Sequence, residues 1–305
     1  MRSMDNTPPK LDAAAWAMLL ALSVLWGGSY LYVKVALAEL PPITIVALRV
    51  VIGGAFLVAI LRLKGLALPR DPALWRAFGV LALINTLVPF VLIAWGQREI
   101  SAGLAAILNA ATPLWTITLA HFLTADERMN VRRATGVLIG FAGVVVLVGP
   151  EALAGIGTSV AAQLACVLAT ISYGFALIWA RRFRRIDGSV VASGQFICAA
   201  PAAVALACLV DRPWSLPVPG QATIAAILAL ALFSTAFGYL VYFRLMQRSG
   251  AGNASLVTML IPPSAMLLGS LFLDERPEPV GLAGFAMIAV GLAIVDGRVV
   301  AAIRR

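Results

Sequence analysis

The chain has 305 residues, 61% of them hydrophobic and only 12% charged, with a formal net charge of +9 and a mean hydropathy of +0.96. Soluble domains carry about a quarter charged residues, so this composition excludes an ordinary soluble globular protein and makes lipid the solvent for most of the surface. The basic balance alone would allow a nucleic-acid partner, and the placement of the charges has to decide that.

A helix needs about 20 mostly apolar residues to cross a bilayer. Apolar runs between charged or Pro/Gly-rich breaks predict ten such helices, at 12–37, 42–62, 73–96, 101–123, 131–149, 158–180, 189–210, 221–246, 252–273 and 279–296. The tail at 1–11 is short and polar and lacks the pattern of a cleaved signal, so helix 1 is expected to remain in the mature protein. Ser23, Trp26, Tyr30 and Lys34 recur along one face of helix 1, beside Gly27 and Gly28. That face is either a packing seam ending in a snorkelling lysine or a pocket wall with Lys34 at its outer mouth.

Helix 3 carries Asn85 and Thr86 before Pro89, which removes one backbone hydrogen bond and frees a carbonyl near Asn85. Trp95 and Gln97 fall near its far end. Asn109, Thr112, Pro113 and Thr116 share a face of helix 4, with Trp115 beside them and His121, the only histidine, toward the end. Mid-bilayer asparagines are costly, so Asn85 and Asn109 either bond a neighbouring helix or meet a solute. Helix 6 repeats the helix 1 pattern with Ser172, Tyr173, Gly174 and Trp179. Helix 8 has Ser234, Thr235, Gly238, Tyr239 and Tyr242, and helix 9 has Ser255, Thr258 and the pair Pro262 and Pro263. Helices 2, 5 and 10 are plainer and rich in glycine, as close helix packing requires.

With the N-terminus on the cytoplasmic side and ten crossings, only Lys34, Arg49, Arg98, Arg212 and Arg276 of the 23 basic residues fall outside. That asymmetry is a positive-inside signature. It predicts both termini in the cytoplasm and makes the basic charge a matter of topology, with no nucleic-acid partner. The three cysteines lie in apolar runs and read as small hydrophobes.

The segment FLTADER at 122–128 returns as FLDER at 272–276. Pro113 aligns with Pro263, Gly136 with Gly284, Gly143 with Gly291, and Trp26-Gly27 with Tyr173-Gly174. Helices 1–5 (residues 12–150) therefore repeat as helices 6–10 (151–300). Because five is odd, the second copy enters the membrane inverted. The expected architecture is an all-α integral membrane protein of ten transmembrane helices, a 5+5 inverted-topology repeat around a central cavity. Such repeats support alternating access, with the substrate near the midplane.

WGG in helix 1, Arg49 at the start of helix 2, NAATP at 109–113 and the doubled (D)ER loop resemble the EamA branch of the drug/metabolite transporter superfamily. The resemblance covers the whole chain and is closest to members that export aromatic amino acids. It implies helices 1, 3, 4, 6, 8 and 9 around the cavity, braced by 2, 5, 7 and 10.

All fourteen carboxylates lie in loops or at helix ends, so an acid-driven cation pump is disfavoured and the pocket is expected to bind through neutral groups. Trp26, Tyr30, Asn85, Trp95, Asn109, Trp115, Ser172, Tyr173, Trp179, Ser234, Tyr239 and Tyr242 are the candidate substrate contacts. Pro89, Pro113, Pro262, Pro263, Gly27, Gly174 and Gly238 are the candidate kinks or gates. Aromatic rings with hydroxyls and amides suit a net-neutral amphipathic solute such as an amino acid. A related hydrophobic metabolite or drug is the alternative. A membrane-embedded enzyme would need a nucleophile–base pair, a metal cluster or paired buried acids, and the sequence offers none. No catalytic residue, cofactor or metal is expected. The partners expected are a small-molecule substrate and the lipid of a bacterial-type inner membrane, around a monomer.

Overall fold

The computed structural model describes residues 12–124, 129–148, 158–249 and 256–296. The first DER loop and Ser255 lie outside them. Every described element is helical. α1 is Ala13–Ala36, α2 Pro42–Leu63, α3 Pro72–Gly96 and α4 Ala102–Leu123. α5 is Val131–Val148, α6 Thr158–Ala180 and α7 Gly188–Val210. α8 runs through Gln221–Ala229, Leu230–Phe237 and Gly238–Ser249, and is followed by α9 (Val257–Leu273) and α10 (Pro279–Asp296). Seven helices, α1 to α4 and α6 to α8, are long and apolar enough to cross a membrane, and α9 is a shorter apolar helix, as is the Pro279–Val295 stretch of α10.

The helices begin where local chemistry starts them. Asp12, Asp71, Ser101 and Asp187 each accept a backbone N–H of the following turn. Pro42 and Pro72 occupy first-turn positions that need no donor. α2 ends just before Gly65, whose φ of 67° continues the chain in a left-handed turn.

Three helices are interrupted. α3 widens over Leu83–Leu87, where the Val88 N–H reaches back five residues to the Leu83 carbonyl, and Pro89 follows at the start of the next regular turn. α8 widens over Leu230–Phe237, and the Gly238 N–H bonds the Phe233 carbonyl. Such π-helical turns are rare and cluster at functional sites. α4 breaks at Ala110–Ala111 ahead of Pro113, and Thr112 Oγ1 donates to the freed Asn109 carbonyl at 2.8 Å. Pro262 and Pro263, by contrast, sit inside an unbroken α9.

The principal packed pairs are α5 with α10, α1 with α9, α2 with α7, α3 with α6 and α4 with α6. The α5–α10 seam is as close as backbones come: a Cβ at Gly136 would lie 2.5 Å from the Gly291 carbonyl oxygen. One apolar core joins α1, α4, α6 and α9 with α5 and α10, and a second joins α1, α2, α3, α7 and α8. Tyr173 packs against both. Leu20, Val24, Leu138, Val145 and Leu267 remain exposed, as a lipid-facing surface requires.

Candidate functional site

The two ends of the bundle differ. At one end, loop side chains clasp helix ends. Asp211 Oδ2 accepts from the Thr44 N–H and hydroxyl at 2.7 and 2.8 Å, and Glu275 accepts from Ala102 and Gly103 N–H at 2.8 and 3.3 Å. Glu39 accepts from the Gly220 N–H at 2.9 Å; its hydrogen bonds to Thr223 and Gly220 hold its carboxyl below the usual glutamate range. Lys34 Nζ donates to the Gln97 and Ile100 carbonyls at 2.7 and 2.9 Å, completing the end of α3. These carboxylates sit on helix N-termini and the lysine on a helix C-terminus, the placement the helix dipole favours. We refer to this end as the clasped face.

The opposite end carries Lys64, Arg182, Arg244 and Arg248. Lys64 Nζ donates to Ser189 Oγ at 3.0 Å, and Arg248 pairs with Asp12 at the start of α1. A void of about 560 Å³ opens here, lined by Met18, Lys64, Asp187, Ser189, Val241 and Phe243 among others. The void lies at this basic end, and none of the expected substrate contacts lines it. The middle of the bundle holds polar and aromatic side chains.

Those side chains form one polar and aromatic cluster. Asn85 Nδ2 donates to Gln195 Oε1 at 3.2 Å and to the Tyr239 hydroxyl at 3.4 Å, and Gln195 Nε2 donates to the same hydroxyl at 3.0 Å. Trp26 meets Tyr239 edge-on at 6.4 Å and Tyr242 at 5.4 Å. Tyr239 and Tyr242 both contact Phe243, which lines the void. Ser234 donates to the Leu25 carbonyl and Ser172 to the Ile84 carbonyl. Asn109 lies near Tyr30. Trp26, Tyr30, Asn85, Asn109, Ser172, Tyr173, Ser234, Tyr239 and Tyr242 therefore surround the bundle interior, on helices α1, α3, α4, α6 and α8.

Three expected contacts lie elsewhere. Trp95 is 41% exposed on the outer surface of α3. Trp115 packs on Phe141 of α5 at 4.6 Å. Trp179 donates its indole N–H to the Ala77 carbonyl and stacks under Arg182. Gly27 and Gly174 are crossing points: a Cβ on Gly27 would meet Ser264 and Ala265 of α9, and one on Gly174 would meet Trp115, Thr116 and Leu119 of α4. Gly238 makes room for the Trp26 indole nitrogen, which would stand 2.6 Å from an added Cβ.

Arg49 corrects the sequence reading. Placed there at the outer flank of helix 2, it stands seven residues beyond Pro42, roughly 10 Å into the helix. Its Nε donates to Thr235 Oγ1 at 3.0 Å, and its guanidinium carbon lies 3.7 Å from the centre of the Phe90 ring. Tyr30, Tyr173 and Tyr239 are near enough to interact with its charge. The site thus contains a fixed cation as well as neutral groups. The signal was in the sequence: an arginine inside an apolar run of spanning length marks a functional position.

A multi-helical bundle with an apolar exterior, a polar and cationic interior cluster and an opening at one end defines a membrane transporter. The chain belongs to the EamA-like transporter family, whose model matches it twice, over residues 13–149 and 160–295. It is 29% identical to the uncharacterized transporter YvbV of Bacillus subtilis, over 94% of this chain and 93% of that protein. It is 25% identical to the uncharacterized inner membrane transporter YedA of Escherichia coli, over 91% of this chain and 89% of that protein. A crystal structure with 21% identity shares the fold, with a TM-score of 0.66 over 93% of this chain and 97% of the other.

Proposed function

We propose that the protein is a secondary transporter that exports small neutral amphipathic metabolites, above all aromatic and other neutral amino acids, across a bacterial-type inner membrane. In this reading it works as a monomer, by alternating access between two inverted halves of five helices. The observation that carries the reading is the pattern of helix contacts. The α2–α7, α5–α10 and α4–α9 pairs each join equivalent helices of the two halves. Exchanging the halves turns α1–α9 into α6–α4, α1–α8 into α6–α3 and α2–α8 into α7–α3, and all of these pairs are packed. The π-helical turns fall in the third helix of each half. A bundle that maps onto itself in this way can exchange the roles of its halves, opening first one end and then the other.

The positive-inside rule supports assigning the basic face and both termini to the cytoplasm. The void then opens inward while the clasped face is shut, a conformation ready to load a solute for export. Trp26, Tyr239 and Tyr242 offer ring faces, and Asn85, Gln195 and Asn109 offer amides. Thr86 Oγ1 and Ser193 Oγ are buried without a partner among the described residues, and such groups call for one.

Counterflow tests this reading. Liposomes holding the purified protein are preloaded with unlabelled phenylalanine, tryptophan, threonine or methionine, and the labelled amino acid is added outside. Saturable accumulation without a pH gradient is expected. No exchange above empty liposomes for any of the four would sink the amino-acid reading and turn the assay to other hydrophobic metabolites, repeated with a proton gradient.

A further inference from the structure

We infer that Arg49 is the anion-recognition element of the transport site, receiving the carboxylate of the solute, so that the carrier selects for a carboxylate and against an amine. The inference rests on the transport reading above and deepens it by naming the group that is recognised.

A guanidinium has five N–H donors in a planar fork. Arg49 commits one, through Nε, to Thr235 Oγ1. The two terminal nitrogens have no acceptor among the described residues, and no described carboxylate lies within ion-pair distance. The charge is instead covered on one face by the Phe90 ring, and the edge of the fork is unpaired among the described residues. That edge matches a carboxylate in the bidentate geometry arginine favours. Tyr239, close by, accepts hydrogen bonds from both Asn85 and Gln195, and its own O–H has no acceptor among the described residues. The cluster is therefore rich in donors and has no anion of its own. An arginine embedded in a helix without a counter-charge is costly to insert, and a solute that supplies the missing anion turns that cost into selectivity. The ammonium of an amino acid would meet only ring faces and amide oxygens.

The test uses ligands matched in shape: phenylalanine, 3-phenylpropionate, which lacks the ammonium, and phenylethylamine, which lacks the carboxylate. Thermal unfolding of the purified protein in detergent or nanodiscs is followed with each ligand. Phenylalanine and phenylpropionate are expected to protect, with phenylethylamine at least about tenfold weaker, as loss of a charged hydrogen bond implies. Arg49→Gln should abolish the protection and Arg49→Lys should retain part of it. Protection by phenylethylamine equal to that of phenylalanine in the wild type overturns the inference, whether or not the variants fold. So does phenylalanine binding in a monodisperse Arg49→Gln protein that matches the wild type. If none of the three ligands protects, the aromatic amino-acid reading has failed, and the wild type is screened with aliphatic carboxylates and phosphate monoesters. Protection by one of them that is absent in Arg49→Gln upholds the role of Arg49. No protection by any organic anion rejects it.

Discussion

Removing the carboxylate of Asp211 or Glu275 should unlock the clasped face. Asp211 Oδ2 is the acceptor for both the Thr44 N–H and its hydroxyl, so it caps the first turn of α2 from the far end of α7. A cap of this kind is worth about 1 kcal/mol, and the dipole of the helix adds about 0.5 kcal/mol. The bond from the Thr44 hydroxyl contributes a similar amount once its partial exposure to water is allowed for. Asp211→Ala should therefore cost the closed arrangement about 2 kcal/mol, which raises the population opened at this face about 30-fold. Glu275→Ala removes a comparable clasp from α4 and shares no partner with Asp211, so the double variant should be close to additive. The reporter is a cysteine at Val33, which is 5% exposed, in a background with Cys166, Cys198 and Cys208 replaced by alanine. The rate of maleimide labelling measures how often the face opens. Rates that rise in each single variant and multiply in the double are expected. Labelling unchanged from the parent in a folded double variant would refute the argument that these carboxylates hold the face shut.

Gly136→Ala should destabilise the protein by about 1–3 kcal/mol, because the methyl group would meet the Gly291 carbonyl and the backbones of α5 and α10 would have to part; thermal unfolding reads this directly. Tyr239→Phe removes the hydroxyl that accepts from Asn85 and Gln195 while keeping the ring against Trp26 and Phe196. It should cost about 1–2 kcal/mol in stability and weaken the apparent affinity in counterflow. The bond from Arg248, joined by the Ala15 N–H, holds the Asp12 carboxyl below its ordinary value of 3.8. Its contribution is fully present above that value and is lost only as pH falls through the lower folded value. The difference in unfolding temperature between wild type and Asp12→Asn should be constant from about pH 8 to pH 5 and vanish in stronger acid. A difference that already faded at pH 6 would contradict the pairing.

Much of the architecture was legible in the sequence, because lipid imposes a simple rule. Each crossing must satisfy its own backbone, so it must be a helix with an apolar surface; seven of the ten apolar runs coincide with α1–α4 and α6–α8, which are long enough to cross, and the other three contain the described helices α5, α9 and α10. Asp12, Asp71, Ser101 and Asp187 cap their helices for an equally local reason. Pro89 and Pro113 announced interrupted turns, since a proline within a helix removes the hydrogen bond to the residue four back. Pro262 and Pro263, by contrast, lie inside α9, which continues through them, and the π-helical turn of α8 contains no proline to mark it.

What the sequence could not determine was which side chains meet. Helical spacing put Trp95, Trp115 and Trp179 on plausible faces, but only the packing of α3, α4 and α6 against their neighbours decides whether a face looks inward. Arg49 shows the converse. Its charge was visible, but its depth in α2 and the Thr235 and Phe90 groups around it come from α3 and α8, more than forty residues away in sequence. The state of the two ends belongs to the tertiary structure as well. The acids of the clasped face are ordinary loop residues until Asp211 and Glu275 find helix N-termini that start at Pro42 and Ala102. Local rules fix where a helix begins and what its surface must be. Contacts across the chain fix what lies at its centre and which end is shut.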